Sequence, residues 1–79
     1  MEWHVVAVHT AEGKQILVDV FSRETIYSLK RRLEAEVWIP ADDQIIVNSG
    51  QIMENGETVE QMAQGGKVFV LRRLRDVRG

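Results

Sequence analysis

The chain has no cysteine, which excludes a disulfide framework, a thiolate nucleophile and any cysteine-bound zinc. A secreted domain of this length without disulfides would be unusual, so a cytoplasmic or nuclear setting is expected. Neither sign of charge dominates. Ten basic against twelve acidic side chains leave a net charge of −2, which offers no global field for nucleic acid or anionic lipid. Long hydrophobic runs are also missing: Val5 to Val8 and Ile16 to Val18 fall far short of the ~20 residues that span a bilayer. Met1-Glu2-Trp3-His4 lacks the basic and apolar regions of a signal peptide. There are no repeats and no low-complexity stretch. Seventy-nine residues exclude a two-domain enzyme, and a chain this short buries only ~60–65% of its unfolded surface, so nearly every strongly apolar position must serve one core.

The patterns that are present describe that core. Residues 3 to 8 are rich in valine, Thr10-Ala11-Glu12-Gly13 reads as a turn, and Ile16, Val18 and Val20 then alternate with Gln15, Leu17 and Asp19, which is a hairpin signal. Ser22-Arg23-Glu24-Thr25 supplies capping residues. Ile26, Leu29 and Leu33 follow at helical spacing, with Lys30, Arg31, Arg32, Glu34 and Glu36 at polar positions, predicting one amphipathic helix of about three turns. Val37-Trp38-Ile39-Pro40 ends it, with Ile39 expected extended and buried. Gln44 to Asn48, a Ser49-Gly50 turn and Gln51 to Met53 read as two short strands. After the turn Glu54-Asn55-Gly56-Glu57, residues 58 to 62 suggest a single helical turn, and Val68-Phe69-Val70-Leu71 a last strand. The order is β, β, α, β, β, short helix, β. Asp76 to Gly79 are expected to form a flexible tail beyond a domain spanning residues 1–75.

Several motifs within this order resemble the ubiquitin superfamily. They are Thr25-Ile26-x-x-Leu29-Lys30-x-x-Leu33, Ile39-Pro40-x-Asp42-x-Gln44, Gly50, Asn55-Gly56-x-Thr58-Val59, and the closing Val68-x-Val70-Leu71-x-Arg73-Leu74-Arg75. The resemblance covers roughly residues 1 to 75 and implies an α+β, ubiquitin-like β-grasp fold, a mixed five-stranded sheet wrapped on one helix. Two-residue periodicity then assigns faces. Ile46, Val68 and Val70 point toward the helix, and Ile45, Val47, Phe69, Leu71 and Arg73 point away. In the family this outer face is the main recognition surface, and the resemblance places Val47, Leu71 and, in the first turn, Ala11 on it. Phe69, Ile45 and Ile52 stand where ubiquitin carries a histidine, an arginine and a glutamine, so the face is more apolar here.

Other departures concern modification. Trp38 lies near a glycine of ubiquitin, Gln51 replaces the lysine most used for chain building, and the loop before the last strand is about two residues shorter. Conjugated members end in Gly-Gly, whereas Arg75 is followed here by Asp76-Val77-Arg78-Gly79, which argues against conjugation.

No catalytic constellation stands out. His4 and His9 are five apart on one strand and face opposite ways, so they cannot share a metal there. Asp42-Asp43 lacks the further oxygen ligands a hard cation needs. Ser22, Ser28 and Ser49 have no partner base, and Gly65-Gly66 lacks the lysine-serine context of a phosphate loop. No enzyme activity, cofactor or metal is expected. Arg72, Arg73, Arg75 and Arg78 form a basic cluster that could touch RNA or acidic lipid, but with a negative net charge it reads better as a solvated strand end that steers acidic protein partners.

The expected function is that of a non-conjugated interaction module of the ubiquitin-proteasome system, the N-terminal domain of a larger protein and a monomer when isolated. It would dock ubiquitin-receptor or proteasomal proteins through Ala11, Ile45, Val47, Ile52, Phe69, Leu71 and Arg73. The face could instead be covered by a second copy or by the rest of a longer polypeptide. The alternatives are a conjugated modifier, and a regulatory domain of a ligase, kinase or deubiquitinase packed on its host.

Overall fold

Alternation at period two makes strands wherever one face can be buried, and five segments of this chain satisfy it. They are β1 (Trp3–Thr10), β2 (Gln15–Phe21), β3 (Gln44–Asn48), β4 (Gln51–Met53) and β5 (Val68–Arg72), with one helix, α1 (Ile26–Val37), between β2 and β3. Short 3₁₀ turns occupy Ala41–Asp43 and Val59–Gln61. A computed structural model of the chain describes residues 2–62 and 65–74, and the tail expected at 76–79 lies outside the described residues. The strand order is β2-β1-β5-β3-β4, with β1 and β5 parallel and the remaining pairs antiparallel. This is the β-grasp expected from the sequence.

One helix covers one face of that sheet. Val6, Val8 and Val20 from the first hairpin meet Ile26, Leu29 and Leu33 of α1, together with Ile46, Met53, Val59, Val68 and Val70. Ile16, Val18, Val37 and Met62 pack at the margin. Burying each such side chain contributes roughly 1.5–3 kcal/mol, and among the described residues these side chains form one core cluster.

The ends of α1 are held differently. At its start the Thr25 Oγ1 accepts the Ser28 N–H at 3.1 Å. The loop after β4 takes two more of the first-turn donors, as Ile26 N–H donates to the Glu57 carbonyl at 2.8 Å and Tyr27 N–H to the Asn55 carbonyl at 3.2 Å. Ser22, read from the sequence as a second capping residue, is buried and bonded through its backbone to Glu2 and Glu60. At the far end Trp38 takes the left-handed conformation, φ 58°, and its N–H donates to the Glu34 carbonyl. That position favours glycine. Trp38 is 83% exposed, so its ring gains little packing to offset the strain.

Two expectations change. Ile39 is half-buried, not buried: its carbonyl is tied to the Gln44 amide at 2.8 Å, and its side chain borders a surface groove with Thr10, Val37 and Val70. Lys30, assigned to the polar side of the helix, is only 6% exposed. It sits four residues after Ile26 and three before Leu33, on the inward stripe. Gln44 is fully buried too, and its Nε2 donates to the Lys30 carbonyl at 2.9 Å.

Leu33 is fully enclosed, so Leu33→Ala should cost ~2–5 kcal/mol through lost burial and the cavity left behind. Urea unfolding measures it, and a loss below ~1 kcal/mol would contradict this core. Trp38→Gly should raise stability by about 1 kcal/mol in the same assay, because glycine relieves the left-handed strain.

Candidate functional site

Because Val6, Val8, Ile46, Val68 and Val70 face the helix, every residue between them on the same strands faces away. The registers align these outward residues from strand to strand. His9 is opposite Gln15 on β2 and Phe69 on β5, Phe69 is opposite Val47 on β3, and Val47 is opposite Ile52 on β4. One row therefore crosses all five strands. In the next row Leu71 is opposite Ile45, and since Thr10 pairs with Val70, Ala11 enters the first turn at the level of Leu71. The side chains stand in cross-strand contact distance.

Five of the seven residues singled out in the sequence, Ile45, Val47, Ile52, Phe69 and Leu71, thus fall on one face, with Ala11 in the first turn and Arg73 just past β5 at its border. Ile52 is 63% exposed, Leu71 40% and Phe69 37%. Ile45 and Val47 are half-buried between them, and Ala11 and Arg73 are exposed at the periphery. Two turns and the exit of β5 frame the face. Gly13, at φ 89°, closes the β1–β2 connection, and Ser49 with Gly50, at φ 50° and 82°, makes the tight β3–β4 turn, whose paired positive φ values match the twist of an antiparallel ribbon. The exit of β5 is fixed by backbone: the Arg73 N–H donates to the Asp43 carbonyl at 2.6 Å. The Arg72 guanidinium donates to the Trp38 carbonyl at 3.2 Å, so the basic strand end is held against the loop that follows α1.

His9 belongs to this face and was not among the residues picked from the sequence. Its ring lies 5.4 Å from that of Phe69, tilted by 38°. Parity alone puts His9 outward, but its neighbour follows from the β1–β5 pairing, which sequence spacing does not reveal. The outer face also extends past it. Trp3 and Phe21 meet edge to face at 5.3 Å, and Val5 and Leu17 are 65% and 66% exposed. His4 lies on the other side of the strand, its Nε2 3.9 Å from a Glu2 carboxylate oxygen. Among the described residues no three His, Asp or Glu side chains are placed to hold a metal ion, and no helix is long and apolar enough to cross a membrane.

Beneath the basic rim lies the buried Lys30. Its ammonium donates to the Asn55 Oδ1 at 2.6 Å, a neutral acceptor where a carboxylate would offset the charge. Burial pushes its pKa below the ordinary 10.5, and the Arg73 charge pushes the same way, against the weaker pull of Glu54 and Asp42. The unfolded chain therefore binds the proton more readily than the folded one. Stability should rise with pH from the depressed value up to about 10.5. Lys30→Met should flatten that alkaline rise and leave the protein as stable at neutral pH or more so, by about 1 kcal/mol. Urea melts across the alkaline range check both, and a Lys30→Met variant that keeps the wild-type slope would contradict the assignment.

A comparison with known families agrees with this architecture: the model of the Ubiquitin family matches residues 6–75. That match runs from Val6 within β1 through β5, and the chain belongs to the ubiquitin family.

Proposed function

We propose that this domain is a non-conjugated recognition module of the ubiquitin-proteasome system, a part of a larger polypeptide that docks ubiquitin-receptor or proteasomal proteins through its outer sheet face. The observation that carries the reading is the composition of the cross-strand rows. Ile52, Val47, Phe69, Ile45 and Leu71 are contiguous by register and apolar throughout. A scattered exposed leucine needs no explanation, but a contiguous apolar patch on a small domain is a docking surface. Asp76-Val77 after Arg75, where conjugated relatives have two glycines, supports recognition over attachment. The module acts by binding and not by catalysis.

Affinity should be modest and concentrated in the few side chains at the patch centre, from which a partner excludes water. Leu71→Glu places a charge that the partner must desolvate. The exposure of Leu71 means the same change leaves the core intact. In an NMR titration of the labelled domain with ubiquitin-binding motifs and proteasomal receptor domains, shifts should cluster on His9, Ile45, Val47, Phe69 and Leu71 and vanish in Leu71→Glu. Arg73 substitution should act mainly on association rate and salt dependence. Shifts confined to the exposed side of α1 around Arg31 and Glu34, or binding that survives in Leu71→Glu, would refute the proposal.

A further inference from the structure

The strand order leaves β2 on the edge of the sheet, and its free hydrogen-bonding groups can be assigned residue by residue. The Thr10 N–H donates to the Lys14 carbonyl and the Ser22 N–H to the Glu2 carbonyl, one at each end of the β1–β2 ladder and in its register. Antiparallel alternation then gives the ladder bonds to Ile16, Val18 and Val20 and turns the backbone of Gln15, Leu17, Asp19 and Phe21 to the open side. Phe21 is closed off by its own chain. Its N–H donates to the Glu24 carboxylate at 3.0 Å and its carbonyl accepts the Glu24 N–H at 2.9 Å. Gln15, Leu17 and Asp19 remain.

Edge strands are normally blunted by lysine, proline, a bulge or an inward charge. The strand Gln15–Phe21 has neither lysine nor proline, its register with β1 is unbroken, and its one charge, Asp19, points outward. Apolar side chains line both sides of the edge, Leu17 on the outer face and the half-buried Ile16 and Val18 on the helix side.

We propose that β2 pairs antiparallel with β2 of a second copy about a two-fold axis at Leu17. In that register Leu17 meets Leu17, Gln15 of each copy meets Asp19 of the other, and Ile16 meets Val18. Each of the three outward pairs exchanges both of its hydrogen bonds, so every free group of the edge is used, and the pairing stops where Phe21 needs no partner. Moving the axis to Val18 sets Leu17 against Asp19 and Gln15 against the satisfied Phe21. Moving it to Asp19 puts two carboxylates face to face. The self-complementary Gln-Leu-Asp pattern is what selects a second copy over an unrelated strand, and it makes the contact isologous. This pairing differs from the isolated monomer expected from the sequence, because the free edge of β2 is defined by strand order. An axis normal to the sheet puts both outer faces on the same side, so two recognition faces act in parallel with a gain in avidity. That consequence rests on the proposed recognition role, while the pairing itself does not.

Analytical ultracentrifugation tests it. So short an interface is weak, so the average mass should climb from monomer toward dimer between about 10 µM and 1 mM. Asp19→Pro removes an N–H that faces only the open edge and leaves the β1–β2 ladder intact, so it should hold the mass at monomer, as should Leu17→Lys. The chain lacks cysteine, so Leu17→Cys, at the axis with Cα atoms ~5.5 Å apart, should form a covalent dimer on mild oxidation. Val5→Cys, equally exposed but one strand inward, should not. A concentration-independent mass, equal crosslinking of the two cysteine variants, or a dimer unaffected by both edge substitutions would overturn the proposal. So would a dimer lost in Leu71→Glu, which would place self-association on the recognition face instead of the edge.

Discussion

The parallel pairing of β1 with β5 holds the rest of this structure in place. It is short, joining Val8, His9 and Thr10 to Val68, Phe69 and Val70, yet it brings the first and last strands side by side at the centre of the sheet. Without it the chain would be two antiparallel units, β1–β2 and β3–β4–β5, each with one apolar side and too small to bury it. The closure spans most of the chain, but loop entropy grows only logarithmically with length, and the pairing is repaid by Val8, Val68 and Val70 entering the same core as Leu29 and Leu33. It also completes the outer row, since His9 and Phe69 become neighbours only across this seam.

Once the seam exists, parity governs both faces. A single helix can cover only one side of five strands, and that side takes Val6, Val8, Ile46, Val68 and Val70. The other side receives what remains at the odd register positions. In most one-sided sheets that remainder is polar. Here it includes Val5, Leu17, Ile45, Val47, Ile52, Phe69 and Leu71, and folding alone gives no reason for apolar residues there. Their presence is the physical content of the recognition reading, and the β2 edge that adjoins them is the second place where the fold leaves apolar surface and unpaired backbone together.

Much of this was legible in the sequence because it depends on local periodicity. The helix from Ile26, the turn at Ser49-Gly50 and the opposed faces of Ile45 and Ile46 each follow from spacing over a few residues. What depended on strand order was not legible: the contact of His9 with Phe69, and the free groups of Gln15, Leu17 and Asp19. A third class was misread because side-chain chemistry masked position. Lys30 was assigned to a polar position and Gln44 was read as the start of a strand, yet Lys30 occupies the inward stripe of α1 and the buried Gln44 reaches across to bond two carbonyls. Ile39 was expected buried on hydropathy, but with Gln44 holding its carbonyl its side chain stays at the mouth of a groove.

The local rules this chain breaks are concentrated at one end of the molecule. Trp38 holds a left-handed conformation suited to glycine, Lys30 is buried against a neutral amide, and the Gln44 Oε1 is buried with no hydrogen-bond partner among the described residues. All three adjoin the exit of β5. Arg72 donates to the Trp38 carbonyl and pairs in register with Gln44, and the charge of Arg73 bears on Lys30. Sequences selected only for stability agree with themselves at every level, and departures gather where function competes with folding. The strained end is the one that carries Leu71 and Arg73 to the rim of the apolar face. Its cost falls where a docking surface would require it, at the end shared with the first turn, where Thr10 pairs with Val70 and one groove is lined by Ala11, Glu12, Trp38 and Arg72.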